Sequence, residues 1–116
     1  LHGQDETILP CLAMGGAQGG IGGTTNYNGR CLTGILDAWK EGDIEKAREL
    51  QNFAQDVINV ICHFRGNIVG GKRIMKLIGL DLGKNRTPFN NMTDEEEARM
   101  KKELEDIDFF NKCNIF

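Results

Sequence analysis

The residues best suited to chemistry open the chain. Gly3-Gln4-Asp5-Glu6 sets two carboxylates side by side, and such a pair can accept hydrogen bonds from the hydroxyl groups of a ligand. The plain alternative is that Asp5 and Glu6 favour the positive N-terminus of the helix that follows. Other reactive groups are isolated. His2 and His63 have no metal-ligating neighbour at a telling interval. Cys11, Cys31, Cys62 and Cys113 are widely spaced and never form C-x-x-C, which argues against zinc and for reduced thiols in a cytoplasmic protein. Three of them fall on expected apolar helix faces and are expected to be buried structural thiols. No Ser-His-Asp or Cys-His set can be assembled. The lysines sit mostly on expected helices beside other charges. None lies in an apolar strand, where desolvation would lower its pKa for Schiff-base work. By themselves these residues offer half of a polyol-binding site, with no catalytic group, no metal ligands and no cofactor site.

A second stretch complements the first. Gly15–Gly29 holds six of the chain's fifteen glycines within its first nine residues. Glycine at that density is too costly in backbone entropy for a helix interior. Phosphate-loop patterns fail, because Ile21 follows Gly20 where a Walker loop needs lysine, and Thr25 stands where G-x-G-x-x-G needs its third glycine. A short buried strand over about Gly19–Thr25 remains, whose small residues admit a ligand or a neighbouring backbone. The alternative is a flexible glycine linker, against which the flanking apolar and helical segments argue.

Composition narrows the class. The 116 residues make one domain or part of one, and a net charge of −3 gives no electrostatic case for nucleic acid. Hydrophobic content of 40% suits a globular chain. No apolar run reaches the roughly 20 residues of a membrane span. Asn85-Arg86-Thr87 and Asn91-Met92-Thr93 match the glycosylation sequon, a pattern short enough to arise by chance.

The elements that must hold these residues follow from periodicity. Leu1–Gly3 is expected to end a strand, so that the chain begins as if in mid-fold. Asp5 or Thr7 caps a helix to about Met14, with Pro10 tolerable only in its first turn. After the glycine strand, Asn28-Gly29 signals a turn. Cys31, Leu32, Ile35, Leu36 and Trp39 then recur at helical spacing up to Lys40, and Glu41-Gly42 stops that helix. Strand, helix, strand, helix over residues 1–42 predicts parallel βα units. Residues 43–116 differ. Asp43 caps a long helix to about His63, with Ala47, Leu50, Ala54, Val57 and Ile61 inward and Ile44 and Ile58 widening the stripe. Arg65-Gly66 breaks it. A helix over Ile68–Leu80 is weakened by Gly70-Gly71, and a loop covers Leu80–Asn91. Thr93-Asp94-Glu95-Glu96 forms a capping box for a last helix to about Phe110. That helix points Met100, Leu104, Ile107 and Phe110 inward and carries Glu97–Lys101 and Glu95–Arg99 pairs on a solvated face.

Taken in order, Gly3-x-Asp5-Glu6, Gly19-Gly20-Ile21-Gly22-Gly23-Thr24 with Asn26, Glu41-Gly42-Asp43 and Gly79-x-x-x-Gly83-x-x-Arg86-x-Pro88 resemble the C-terminal part of the dihydrodipicolinate synthase / N-acetylneuraminate lyase family. The acidic pair and the Thr-x-Asn ending resemble the lyase branch more than the synthase branch. The resemblance implies an α/β fold: a fragment of a (β/α)8 TIM barrel comprising the end of strand seven, helix seven, strand eight and helix eight, then a C-terminal helical extension, mostly helical as it stands. It implies a class I aldolase whose lysine forms a Schiff base with a 2-oxo acid such as pyruvate. That lysine and its partner tyrosine both lie before Leu1, which leaves this chain alone inactive. Gly3, Asp5 and Glu6 would bind the hydroxylated tail of a sugar acid, and Ile21 and Gly23 would line the same site, with the Ile21 carbonyl at the pyruvyl end. No cofactor or metal is implied. The family is often tetrameric, so a homo-oligomer is expected, with no nucleic-acid or membrane partner. Lyases of this family carry serine where this chain has Gly23, and Asp5 to Asn26 is one residue longer than in them. A dihydrodipicolinate synthase and a 2-keto-3-deoxy sugar-acid aldolase are alternatives. A competing reading of another class is a non-catalytic helical module that self-associates through open strand edges.

Overall fold

Strand pairing here is a single step. The structure, a computed structural model, describes residues 1–114. The strand expected over Gly19–Thr25 is reduced to one parallel bridge between His2 and Gly20. The His2 N–H donates to the Gly19 carbonyl at 2.8 Å, and the Ile21 N–H donates to the His2 carbonyl at 2.8 Å. The parallel sense is the one that βα units require. The ladder goes no further because a 3-10 turn begins at Asp5 on one side and the chain turns into a helix after Gly23 on the other.

The 3-10 turn Asp5–Thr7 leads into helix α1, Ile8–Ala13. Pro10 is the third residue of α1, where its missing N–H would have had no helical partner. Helix α2 spans Thr25–Glu41, so it starts ahead of Asn28-Gly29, which forms no turn. Burial overrides the local turn preference: Tyr27, Cys31, Leu32 and Ile35 share one inward face that a turn would break. The conflict leaves a distortion, with Asn28 at φ −119° and ψ 21°. Asn114 repairs it from the far end of the chain. Its backbone N–H donates to the Tyr27 carbonyl at 2.8 Å. Its Nδ2 donates to the Thr25 and Asn26 carbonyls, and its Oδ1 accepts from the Arg30 N–H.

Gly42, at φ 78°, ends α2 by donating back to the Ala38 and Trp39 carbonyls, the left-handed stop that glycine favours. Asp43 then caps helix α3, Ile44–His63, by accepting from the Lys46 N–H at 3.1 Å. Helices α2 and α3 form an antiparallel hairpin at the centre of the fold. A Cβ on Gly34 would come within 2.9 Å of Leu50 Cδ1, so the helices meet closely there. Ala47, Ala54, Val57 and Ile61 are buried as the stripe predicts, but Ile44 in the first turn stays exposed.

After α3, Arg65 and Gly66 both take left-handed φ, 65° and 73°. A π-helical turn, Asn67–Gly71, runs directly into helix α4, Lys72–Leu77. Gly70 and Gly71 fall within the π-helical turn, and regular α-helix begins only at Lys72. Both glycines are buried, and a Cβ on Gly70 would sit 3.1 Å from both Met100 Cε and the Phe64 carbonyl. Helix α5, Asp94–Asp106, opens with both halves of the capping box in place. Asp94, Glu95, Arg99 and Lys101 are exposed, as a solvated face requires, but the ion pairs are not those expected. Glu97 pairs with Arg73 and Lys76, and Glu96 with Arg65, in place of the expected Glu97–Lys101 and Glu95–Arg99 pairs. Cations on neighbouring elements reach these carboxylates, which helix-surface spacing does not foresee. Asp108, at φ 59°, then separates α5 from helix α6, Phe109–Lys112. That break brings Phe109 into the core, with Ile107 and Phe110 half-buried and packed against it.

One core gathers side chains from both halves of the chain, including Ile8, Tyr27, Ile35, Val57, Ile74, Leu104 and Phe109. Cys31 and Cys113 belong to it, Cys11 is half-buried and Cys62 exposed, and all four are free thiols. Burial pushes the Cys31 thiol up to about 11, so it stays protonated and inert. Among the described residues, no helix is long and apolar enough to cross a membrane.

Two outcomes follow from this packing. Asn114→Ala removes three side-chain hydrogen bonds from the distorted start of α2 and is expected to cost about 1–2 kcal/mol in denaturant unfolding. The Arg65 side chain, hydrogen-bonded to Glu96, holds that carboxyl at about 2, below its ordinary 4.5. A depressed folded-state pKa stabilises above the unfolded value and ceases to do so as pH falls through the folded one. The stability difference between the protein and its Glu96→Gln variant should therefore be constant above pH 4.5 and shrink between 4.5 and about 2, as measured by thermal unfolding across that range.

Candidate functional site

The His2–Gly20 bridge brings the two candidate stretches to the same end of the fold. His2 is anchored by a 2.8 Å hydrogen bond between its Nε2 and Thr7 Oγ1. Just beyond the bridge, Asp5 turns inward and is only 3% exposed. Its Oδ2 accepts from the Thr24 backbone N–H at 3.0 Å and from the Thr24 hydroxyl at 2.5 Å. Gly22 lies against the same carboxylate so closely that a Cβ there would overlap it. The glycine ribbon is thus glycine-rich at Gly22 because a side chain, Asp5, occupies the space. Asp5 Oδ1 is buried and has no partner among the described residues. A buried acceptor left unpaired costs about 1–3 kcal/mol, and this oxygen lies beneath Gly22, covered by the glycine ribbon.

The five residues expected at the site are placed as follows. Gly3, Ile21 and Gly23 are exposed, Glu6 is half-buried and Asp5 is buried. Ile21 has 68% of its surface exposed, so its side chain packs on nothing and its part in any site is through its backbone. Asp5 and Gly22 are in direct contact, which joins the acidic pair to the ribbon. Asp5 is committed through one oxygen to holding Thr24. The physical reason is the parallel bridge, which sets the Asp5 turn beside the start of α2, where backbone N–H groups lack helical partners.

Residues that spacing did not single out support the site from behind. Gln51, buried on α3, accepts from the Leu9 N–H at 2.8 Å and donates to the Asp5 carbonyl at 3.0 Å. Gln55, one turn on, donates to the Glu6 carbonyl at 3.1 Å. Tyr27 donates its hydroxyl to Asn67 Oδ1 at 2.6 Å. Burial, with the Asp5 charge second, raises the Tyr27 phenol well above its ordinary value, so it remains protonated. Gln51 fell on the inner side of the α3 stripe, and a polar residue on an apolar face was the one available signal. His63 lies elsewhere, exposed and bonded to Glu103 at 2.8 Å. Among the described residues, no group of three or more His, Cys, Asp or Glu is placed to hold a metal ion.

Residues 1–107 match the model of the dihydrodipicolinate synthetase family. The chain is 32% identical over 116 residues to the N-acetylneuraminate lyase of Mus musculus, covering 99% of this chain and 36% of that protein. To the N-acetylneuraminate lyase of Lactiplantibacillus plantarum it is 39% identical over 99 residues, covering 84% and 33%. Among solved structures it superposes on Proteus mirabilis N-acetylneuraminate lyase with a TM-score of 0.82 at 28% identity, covering 92% of this chain and 36% of that one. On Sulfolobus solfataricus 2-keto-3-deoxygluconate aldolase the TM-score is again 0.82, at 30% identity, with 91% and 36% covered. The chain therefore spans about a third of the length of the proteins it matches.

Thr24 tests the local geometry. Thr24→Val deletes the 2.5 Å bond to Asp5 and leaves a buried carboxylate oxygen with one donor fewer, at an expected cost of about 1–3 kcal/mol. Thr24→Ser keeps the hydroxyl and should recover most of that loss in the same denaturant titration.

Proposed function

The chain belongs to the dihydrodipicolinate synthetase family, and on that premise we propose that it is the C-terminal portion of a pyruvate-dependent aldolase acting on a sugar acid. In this reading residues 1–42 are the last βα units of a (β/α)8 barrel and residues 43–116 its helical extension. The chain supplies substrate contacts, and the Schiff-base lysine and the proton-relaying tyrosine lie on the part of the barrel before Leu1. A complete barrel takes about 250 residues, well beyond this chain.

The observation that carries the proposal is the junction of Asp5 with Gly22 and Thr24 next to a parallel bridge. In a barrel, the residues just past the strand ends form the ligand face. Gly3–Glu6 and Ile21–Gly23 are those residues for the last two strands. The half-buried Glu6 carboxylate would accept from the hydroxyls of the sugar-acid tail, Asp5 beside it would set the ribbon through Thr24, and the Ile21 carbonyl and Gly23 would lie along the same substrate. Gly23, where the lyases of this family carry serine, favours keeping a 2-keto-3-deoxy sugar acid beside N-acetylneuraminate as the substrate. The matches to N-acetylneuraminate lyases and to a 2-keto-3-deoxygluconate aldolase support both.

Borohydride reduction in the presence of pyruvate tests the reading, followed by intact mass and peptide mapping. The 116-residue chain should gain no adduct. The full-length protein should gain one reduced pyruvyl group, on a lysine outside residues 1–116. An adduct on any of the chain's own lysines would overturn the proposal.

A further inference from the structure

Residue 23 has no side chain, and the space where one would begin is already taken. A Cβ on Gly23 would overlap the Nδ2 of Asn67, which comes from the helical extension. Several features hold Asn67 there. The left-handed pair Arg65 and Gly66 turns the chain sharply after α3. The π-helical turn then starts at Asn67 itself, a backbone form that recurs at functional sites. A Cβ on Gly71 would overlap Asn67 Oδ1 from the other side, so the amide is clamped between two glycines. The Tyr27 hydroxyl donates to that same Oδ1. With the amide oxygen accepting from Tyr27 at 2.6 Å, the nitrogen is the atom that faces Gly23. That nitrogen makes no hydrogen bond to another described residue. Asn67 is exposed, so the side chain is open to a ligand.

We propose that Asn67 is a specificity-determining residue, whose Nδ2 donates to a hydroxyl of the substrate's polyol tail beside Gly23. The inference rests on the reading of Gly3–Glu6 and Ile21–Gly23 as the sugar-acid face. It accounts for glycine at residue 23: the extension delivers a polar donor to the point where a side chain on that residue would otherwise provide one. A fixed neutral donor suits a hydroxyl oxygen, and it penalises a substrate that leaves it unpaired.

The test uses the full-length protein that carries this chain. Asn67→Asp keeps an oxygen for Tyr27 and replaces only the donor. It should raise KM about tenfold for a sugar acid with a long polyol tail, with kcat within about twofold, and leave KM unchanged for a 2-keto-3-deoxy acid whose tail is too short to reach Gly23. Asn67→Ala should do the same, and adding Gly23→Ser in that background should return a hydroxyl to the vacated space and recover most of the lost affinity. If KM for the long-tailed acid is unchanged in both single variants while Glu6→Gln raises it, the role of Asn67 is wrong and the sugar-acid face stands. Equal effects on both substrates mark a merely structural residue and also overturn the inference. If the unaltered protein cleaves no sugar acid, the underlying reading fails and the inference with it.

Discussion

The carboxylate of Asp5 constrains the fold more than any other group. A carboxylate with 3% of its surface exposed is tolerable only where hydrogen bonds replace its lost hydration. Thr24 supplies two of them to a single oxygen. Because the amide and hydroxyl of one residue converge on one atom, the ribbon cannot slide along the Asp5 turn without losing both. Gly22 must then be glycine, since the carboxylate lies where its Cβ would be. The parallel bridge brings the two stretches together, and the turn after Gly23 and the start of α2 are held by that lock.

A second set of contacts ties the later helices to the first forty residues, and it is made of amide side chains. Gln51 bridges the Leu9 N–H and the Asp5 carbonyl, Gln55 reaches the Glu6 carbonyl, Asn67 accepts from Tyr27, and Asn114 serves the distorted start of α2. An amide both donates and accepts without carrying charge. It can therefore join backbone groups at a partly buried seam without the desolvation cost of an ion. The charged contacts lie further out, where Arg65, Arg73 and Lys76 hold the first turn of α5. Apolar packing provides the common core, and the amides set how the two segments meet around the site.

Much of the helical framework was legible in the chain because its signals are local. Gly42 as a left-handed stop, Asp43 as a cap, the apolar stripe of α3 and the Thr93–Glu96 capping box each depend on residues within a turn or two of one another. The family resemblance, carried by an ordered set of short motifs, likewise needed no contacts. What depended on distant partners was read less well. The Asn28-Gly29 turn signal lost to burial of Tyr27 and Cys31, and the ion pairs expected along α5 lost to cations from other elements. Phe109 joined Phe110 at the core because Asp108 broke the helix, and no local signal announces that break.

The sequence alone determined which residue types were available and the helix ends that local signals mark, at Gly42, Asp43 and Thr93, since capping and left-handed stops act over a few residues. It also determined that the acidic pair and the glycine ribbon occur together in one chain. Tertiary structure decided what they do to each other. Only in the fold does Asp5 turn from a free carboxylate into the anchor of Thr24, Gly22 become a contact surface, and Asn67 arrive beside Gly23. Each of these is a close approach between residues far apart in the chain, and such approaches are set by the packing of whole helices.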